Sequence, residues 1–346
     1  MTIHEIYMQQ CIQLALKGFG SVAPNPMVGC VIVSDGNIIG EGYHQQYGQA
    51  HAEVNAINSV KNKELLLKST LYVNLEPCSH FGKTPPCADL IIENKIPKVV
   101  IGSRDINSIV NGLGIKKLRE AGINVTVGVS EDDCKKLNKR FFTFHNKKRP
   151  YIILKWAQTA DGFIDLKRSE ENPGKAMQIS NPESQKLVHQ WRGQEQAIIV
   201  GTNTALLDNP KLTARQSQGK NPLRISIDKW LRLPKQHHLF DKSTPTLIFT
   251  AADEPSETFL EYIKIDFEKA IIPQILNELF NRSIQSLIVE GGEQLLNSFI
   301  ELGAWDEARV FISDKKIEKG INAPVLKTKP ISKENISNDK LLTFLP

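Results

Sequence analysis

His51-Ala52-Glu53-Val54 and, further on, Glu76-Pro77-Cys78-Ser79-His80-Phe81-Gly82-Lys83-Thr84-Pro85-Pro86-Cys87 decide how the first half of this chain is read. One imidazole and two thiolates, from His51, Cys78 and Cys87, are a donor set suited to the borderline-soft Zn2+ ion, and three protein ligands leave one tetrahedral position open. An ion held in this way supplies a water activated near neutral pH. Glu53, just past His51, is placed to take a proton from that water and hand it to a leaving amine. His-x-Glu followed by Pro-Cys is the pattern of hydrolytic deamination of a nucleobase-like ring. Buried thiols, a disulfide or a core histidine are the plainer alternatives for each residue alone. Four residue types of one mechanism, in one order, outweigh them. The spacing is unusual, because eight residues, Ser79 to Pro86, separate the two cysteines and bring a cation, Lys83, with them.

Around these motifs the pattern is that of alternating strands and helices. Thr2 and Glu5 form a capping box for a helix whose stripe is Tyr7, Cys11, Leu14 and Gly18. Pro24-Asn25-Pro26 breaks the chain, Val28 to Val33 reads as a buried strand, and Asp35-Gly36 turns it into a hairpin partner over Ile38 to His44. A helix begins at His51, a strand spans Leu71 to Leu75, and Pro77 suits a first helical turn, which would put Cys78 at a helix N-terminus. Ala88 to Asn94 is helical, Lys98 to Gly102 a strand, Gly114 to Ala121 a helix closed by Gly122, Ile123 to Val127 a strand, and Glu131 to about Phe144 one last helix. The pattern predicts a three-layer α/β domain over residues 1–147. Cys11 and Cys30 read as core residues.

With 346 residues, two domains are expected, and 40% hydrophobic and 23% charged residues are ordinary for globular domains. A net charge of +5 suits phosphorylated substrates without requiring nucleic acid. Five cysteines, few and odd in number, argue against a secreted disulfide framework. No basic n-region with an apolar run opens the sequence, and no stretch is long and apolar enough to span a bilayer, so a cytoplasmic protein is expected. Between Cys134 and Arg149 lie several Lys and Arg with Phe141, Phe142 and Phe144. This reads as a solvated helix face running into a linker at Lys147-Lys148-Arg149-Pro150 rather than as a nucleic-acid surface.

A second α/β domain is expected over residues 150–346. Its strands are Tyr151 to Trp156, Ala197 to Gly201, Leu223 to Asp228, Thr246 to Thr250, Ser286 to Glu290 and Ala308 to Ser313, with a possible last strand at Leu341 to Leu345. Ser180-Asn181-Pro182-Glu183 opens a helix that Gly193 would close. No G-x-G-x-x-G fingerprint is present, so a Rossmann reading fails. Gly291-Gly292 before the helix Glu293 to Leu302 has the physics of a phosphate-accepting turn, with a plain tight turn as the alternative.

These motifs resemble those of a known family, the bifunctional riboflavin-biosynthesis enzymes that join a pyrimidine deaminase to a pyrimidine reductase. The likeness covers nearly the whole length. In the first half it rests on Pro24-Asn25-Pro26-Met27-Val28-Gly29-Cys30, Gly42-Tyr43-His44, His51-Ala52-Glu53-Val54 and the long Glu76 to Cys87 string. In the second half it rests on Leu154-Lys155, Asp161-Gly162, Ala197 to Gly201, Leu207-Asp208-Asn209-Pro210, Leu212-Thr213-Ala214-Arg215 and Val289-Glu290-Gly291-Gly292. The resemblance implies a cytidine-deaminase-like α/β/α domain followed by a dihydrofolate-reductase-like α/β domain. It implies zinc and NADPH as cofactors and a small phosphorylated pyrimidine as substrate. The first half would deaminate 2,5-diamino-6-ribosylamino-4(3H)-pyrimidinone 5′-phosphate, and the second would reduce the ribosyl chain of the product to ribityl.

Residue by residue, the resemblance implies that Asn25, His44, Lys83, Asp105 and Asn107 contact the substrate of deamination. Ala157, Gln178, Thr204, Asp208 and the run Gly292, Glu293, Gln294, Leu295, Leu296, Asn297 and Ser298 would face the cofactor. Ala176, Arg192, Leu212, Arg215 and Glu290 would contact the substrate of reduction. The chain departs from the family at Ala176 and Gln178, where a hydroxyl and an indole are common, and at Asn209, where a second aspartate is frequent. A homo-oligomer is expected, with no nucleic-acid or membrane partner. The competing readings are a nucleic-acid base deaminase with a C-terminal RNA-binding module, and a zinc deaminase fused to a non-catalytic module.

Overall fold

Alternation along one strand sets the layers of the first half. A computed structural model describes residues 1–81, 85–107, 111–172 and 174–346. The chain divides into two units, Met1–Lys148 and Arg149–Pro346. In the first, the elements run α1 (Ile3–Leu16), β1 (Gly29–Ser34), β2 (Asn37–Tyr43), α2 (Ala52–Ser59), β3 (Thr70–Leu75), α3 (Cys87–Glu93), β4 (Lys98–Ser103), α4 (Leu113–Glu120), β5 (Asn124–Val127), α5 (Glu131–Leu137) and α6 (Lys139–Lys147). The strands form one sheet in the order β2-β1-β3-β4-β5, antiparallel from β2 to β3 and parallel from β3 to β5. Successive side chains of β1 point to opposite faces. Cys30 and Ile32 join Ala56 and Ile57 of α2, Ile91 of α3 and Leu118 of α4 in one apolar cluster. Val31 and Val33 join Met8 and Cys11 of α1 and Cys134 of α5 in another. The sheet is therefore buried on both sides, which makes the expected three layers. Full burial of each such Val, Ile or Met contributes about 1.5–3 kcal/mol.

One glycine shows how tightly the layers meet. A Cβ on Gly42 of β2 would lie 2.3 Å from the Ala56 nitrogen and 2.6 Å from the Ala52 oxygen, so β2 rests directly on the backbone of α2. The capping box at Thr2 and Glu5 forms as expected, and Asp35 and Gly36 turn β1 into β2 with φ of 50° and 76°.

Three expectations need correction. No helix follows Pro77: residues 76–79 are irregular, and the helix begins at Cys87, after the proline pair. The helix expected from Glu131 to Phe144 is two helices broken at Asn138. The reason is the Asn138 side chain, buried against Met27, whose amide it accepts at 2.8 Å and whose carbonyl it donates to at 2.9 Å. In the second unit Gly193 does not end its helix but lies inside it, where a Cβ would meet Gly219 Cα at 3.0 Å.

The second unit contains β6 (Tyr151–Gln158), β7 (Phe163–Asp165), α7 (Pro182–Gln194), β8 (Ala197–Val200), α8 (Thr202–Asp208), β9 (Leu223–Ile227), β10 (Thr246–Thr250), β11 (Leu260–Lys264), α9 (Ile271–Asn281), β12 (Ser286–Glu290), α10 (Glu293–Glu301), β13 (Glu307–Ile312), β14 (Ile321–Asn322), β15 (Ser332–Ile336) and β16 (Asp339–Phe344). Nine strands form one sheet in the order β11-β10-β9-β8-β12-β6-β13-β16-β15. It is parallel from β11 to β13, and antiparallel β16 and β15 extend it. α9 and α10 cover one face through Ile275, Leu279, Leu296 and Phe299. On the other, Ile198, Val200 and Ile288 pack with Ala205 and Leu212. The centre of the sheet places the C-terminal ends of β6, β8, β9 and β12 side by side, where ligands of open α/β sheets bind.

Candidate active sites

In the first unit the backbone leaving β3 and the start of α3 bring Cys78 and Cys87 to His51, the N-cap residue of α2. The His51 Nδ1 lies 3.6 Å from Cys78 Sγ and 3.3 Å from Cys87 Sγ. All three donor atoms fall within 4.8 Å of one another. Bond lengths of about 2.1 Å to nitrogen and 2.3 Å to sulfur in a tetrahedron require edges of roughly 3.6 Å, so the cluster has the dimensions of a zinc site. The Cys87 amide, the first of α3, donates to Cys78 Sγ at 3.3 Å. The Cys87 thiol, His51 and that amide hold the Cys78 thiol well below its usual range despite burial. Helix-end stabilisation of Cys78 thus comes from α3, which starts nine residues later in the sequence than Cys78 itself.

Glu53 sits in the first turn of α2 and is 3% exposed. Burial, reinforced by Cys78 and opposed by His51, lifts its carboxyl to about 7. His44 accompanies the cluster. Its Nδ1 lies 3.0 Å from the Ala50 carbonyl, to which it must donate, leaving Nε2 to accept from Asn25 Nδ2 at 3.1 Å. Its ring meets that of His51 edge-on at 5.4 Å, and burial lowers its pKa, so it is neutral. Asp105 is 8% exposed and its Oδ1 accepts the Asn107 amide at 2.8 Å. Burial, opposed by the Asn107 amide and reinforced by Glu76 and Cys78, raises its carboxyl to about 6. His44, with Asn25 bonded to it, thus lies against His51, and Asp105, which holds the Asn107 amide, is close enough to Cys78 to feel its charge, while Lys83 lies outside the described residues. Reading the sequence assigned no role to Glu76, whose buried carboxylate accepts, among the described residues, backbone amides. The one signal was its place at the head of the cysteine motif.

In the second unit a cleft of about 520 Å3 opens at the strand ends. Thr204, Asp208, Gly292, Glu293, Gln294, Leu295 and Ser298 line it, together with Asp165, Arg168 and Arg232, which the sequence did not single out. Asp208 pairs with Arg168, which also binds Asp165. Gly291, at a φ of 127°, lets α10 begin close to α8, and the Gly292 amide donates to Thr204 Oγ1 at 3.0 Å. A smaller cavity of about 270 Å3, sharing Ile164 and Gly291 with the first, is lined by Ala157, Gln178, Lys155 and Glu290.

Register places Glu290 of β12 opposite Lys155 of β6. Arg192 of α7 grips the Glu290 carboxylate through Nε at 3.1 Å and Nη2 at 2.8 Å, with Lys155 Nζ at 3.9 Å. Burial would raise the Glu290 carboxyl, but Arg192 and Lys155 outweigh it and hold it at about 2. Arg192 Nη1 and His189 Nδ1 both reach the Thr213 carbonyl, and burial, then Arg192 and exposed Arg215, lower the His189 pKa. At two of the positions expected to face the cofactor or the substrate of reduction, the side chain belongs to the core. Leu296 is fully buried beneath α10, and Leu212, at a φ of 53°, turns into the core with Ala205. Apolar side chains there gain more from the core than from a polar cleft, which leaves only backbone to face a ligand. Asn297 and exposed Ala176 line neither cavity.

The geometry agrees with what known proteins show. Residues 1–103 match the model of the cytidine and deoxycytidylate deaminase zinc-binding region, and residues 150–317 that of the RibD C-terminal domain. The riboflavin biosynthesis protein RibD of Aquifex aeolicus is 38% identical, over 99% of this chain and 98% of that protein. That of Escherichia coli is 34% identical, over 90% and 88%. A crystal structure of a diaminohydroxyphosphoribosylaminopyrimidine deaminase/5-amino-6-(5-phosphoribosylamino)uracil reductase from Thermotoga maritima superposes with a TM-score of 0.89 at 38% identity, covering 99% of this chain and 98% of that one. Acinetobacter baumannii RibD gives 0.88 at 30%, with the same coverage. The N-terminal unit has the cytidine-deaminase fold and the C-terminal unit the dihydrofolate-reductase-like fold expected from the motifs. With near full-length identity of this order, the chain belongs to the RibD family of bifunctional riboflavin-biosynthesis enzymes.

Proposed function

We propose that residues 1–147 carry the deamination and residues 150–346 the reduction. The first would release ammonia from 2,5-diamino-6-ribosylamino-4(3H)-pyrimidinone 5′-phosphate, and the second would reduce the ribosyl chain of the deaminated product. The observation that carries this reading is the convergence of His51, Cys78 and Cys87 beside buried Glu53. These three residues would hold zinc, which would supply an activated water. Glu53, whose carboxyl sits near neutrality, is suited both to accept a proton from that water and to deliver it to the departing amino group. Neutral His44, its two nitrogens engaged by the Ala50 carbonyl and Asn25, braces Asn25 next to His51, and the Asn25 amide offers the pyrimidine ring a polar contact. Asp105 and Asn107 line the same site.

The larger cleft would hold NADPH, which would supply the hydride. Arg168 neutralises Asp165 and Asp208 in its wall. The smaller cavity takes the ribosyl chain. There Glu290, ionised and pinned by Arg192, accepts hydrogen bonds from sugar hydroxyls, and Lys155 stands beside it as a donor. Arg192 and Arg215 present guanidinium groups suited to a phosphate ester. Phe141 and Phe144 are buried in the basic helix α6, which leaves them unable to stack on bases and disfavours the RNA-binding alternative. Among the described residues no helix is long and apolar enough to cross a membrane.

The test is to incubate the purified chain with the diaminopyrimidinone phosphate and NADPH, following ammonia, cofactor oxidation and product mass. Ammonia release followed by a two-hydrogen gain in mass supports the reading. Ammonia without cofactor oxidation would reduce the second unit to a binding module.

A further inference from the structure

Glu76 has no part in the metal centre or in the expected substrate contacts, yet it is 4% exposed, and among the described residues its carboxylate is hydrogen-bonded by backbone amides. Its Oε2 accepts the amides of Asp105 at 3.2 Å and Gly112 at 3.0 Å, and its Oε1 accepts that of Ile115 at 3.1 Å. Its own amide donates to the Ser103 carbonyl at 2.9 Å, prolonging the pairing of β3 with β4. Gly112 is the N-cap of α4 and makes no side-chain cap. Glu76 supplies from another segment the acceptors that a capping side chain would give. Gly114 seals the contact, since a Cβ there would lie 2.1 Å from the Pro77 oxygen and 3.3 Å from Glu76 Oε1. On the other side Asp105 orders Asn107 through its own Asx turn. A single buried carboxylate thus ties the segment that ends in Cys78 to the backbone of Asp105 and to the first turn of α4.

We infer that Glu76 is a positioning residue for the deamination, setting the distance between the metal centre and the Asp105–Asn107 contacts. The inference rests on the reading of Asp105 and Asn107 as substrate contacts. Only a carboxylate offers two oxygens with lone pairs for three N–H donors. The amide of a glutamine would turn an NH2 group toward at least one of them.

The experiment measures deaminase kcat and KM, zinc per chain, and reductase kcat with deaminated substrate supplied, for wild type, Glu76→Gln, Glu76→Asp, Asp105→Asn and Asn107→Ala. A displacement on the ångström scale at the contacts predicts a KM raised about tenfold or more in Glu76→Gln. Zinc content and reductase kcat should stay at the wild-type level, with Glu76→Asp falling between wild type and Glu76→Gln. If Asp105→Asn and Asn107→Ala raise KM while Glu76→Gln does not, the inference fails and the substrate reading stands. If Asp105→Asn and Asn107→Ala leave KM unchanged, both fail. Loss of zinc in Glu76→Gln and Glu76→Asp alike would make Glu76 part of the metal scaffold and overturn the inference.

Discussion

Glu53 and Glu290 are both buried carboxyls, and their surroundings drive them apart. Glu53 has apolar burial and a neighbouring thiolate, so it sits near neutrality. Glu290 has Arg192 and Lys155, so it stays ionised through the working range. The Glu53→Gln variant should keep its zinc and its reductase activity while ammonia release falls by about 10²–10⁴-fold; metal analysis and an ammonia assay on one preparation decide it. For Glu290, a folded value of about 2 lies below the unfolded value of about 4.3, so its stabilisation is complete above about 4.3 and is lost as the pH falls toward 2. Arg192→Leu strands that charge and should cost about 3 kcal/mol at neutral pH. The gap in melting temperature between wild type and variant should narrow as the pH is lowered from 7 to about 3. A constant gap would show that Glu290 is not the group strained by the loss. The cluster of His51, Cys78 and Cys87 was legible because its residue types are rare and ordered. Arg168 and Arg232 were not, since a single cation in a sequence carries no sign of what it will face.

At the scale of elements, the active-site geometry depends on close backbone approaches. Gly42 lets β2 touch α2, the helix that carries Glu53. Gly42→Ala should therefore lower deaminase activity and the melting temperature of the first unit, with an overpacking cost of about 1–3 kcal/mol. Asn138 breaks α5 from α6 to hold Met27, two residues past Asn25. Asn138→Ala leaves the buried Met27 amide without its acceptor, while the Met27 carbonyl keeps Asn74 as a donor, and should cost about 1–3 kcal/mol in denaturant unfolding. The capping box at Thr2, the hairpin at Asp35-Gly36 and most strands could be read directly, because local chemistry decides them. The break at Asn138 could not, since it depends on a backbone 111 positions away. The helix start moved from Pro77 to Cys87 because the metal motif, and not local propensity, shapes residues 76–79. The strand β15 was missed because its side chains are mostly exposed and polar, leaving no apolar alternation.

Across the whole molecule, two units with separate cores carry two chemistries, so each should be lost independently. Stripping the metal with a strong chelator should abolish ammonia release while leaving NADPH-dependent reduction of supplied deaminated substrate intact, and zinc should restore the first activity. Simultaneous loss of both would mean that the ion supports the entire chain. Family membership was legible in the order of the motifs over nearly the full length. The partition of α9 and α10 to one face of the nine-stranded sheet was not, because it follows from how the strands pair. The measurement that bears most directly on the central claim is elemental analysis of the purified chain beside its Cys87→Ser variant. The geometry of His51, Cys78 and Cys87 predicts about one zinc per chain in the wild type and a marked loss in the variant. A wild-type protein that deaminates its substrate with no bound metal would contradict it.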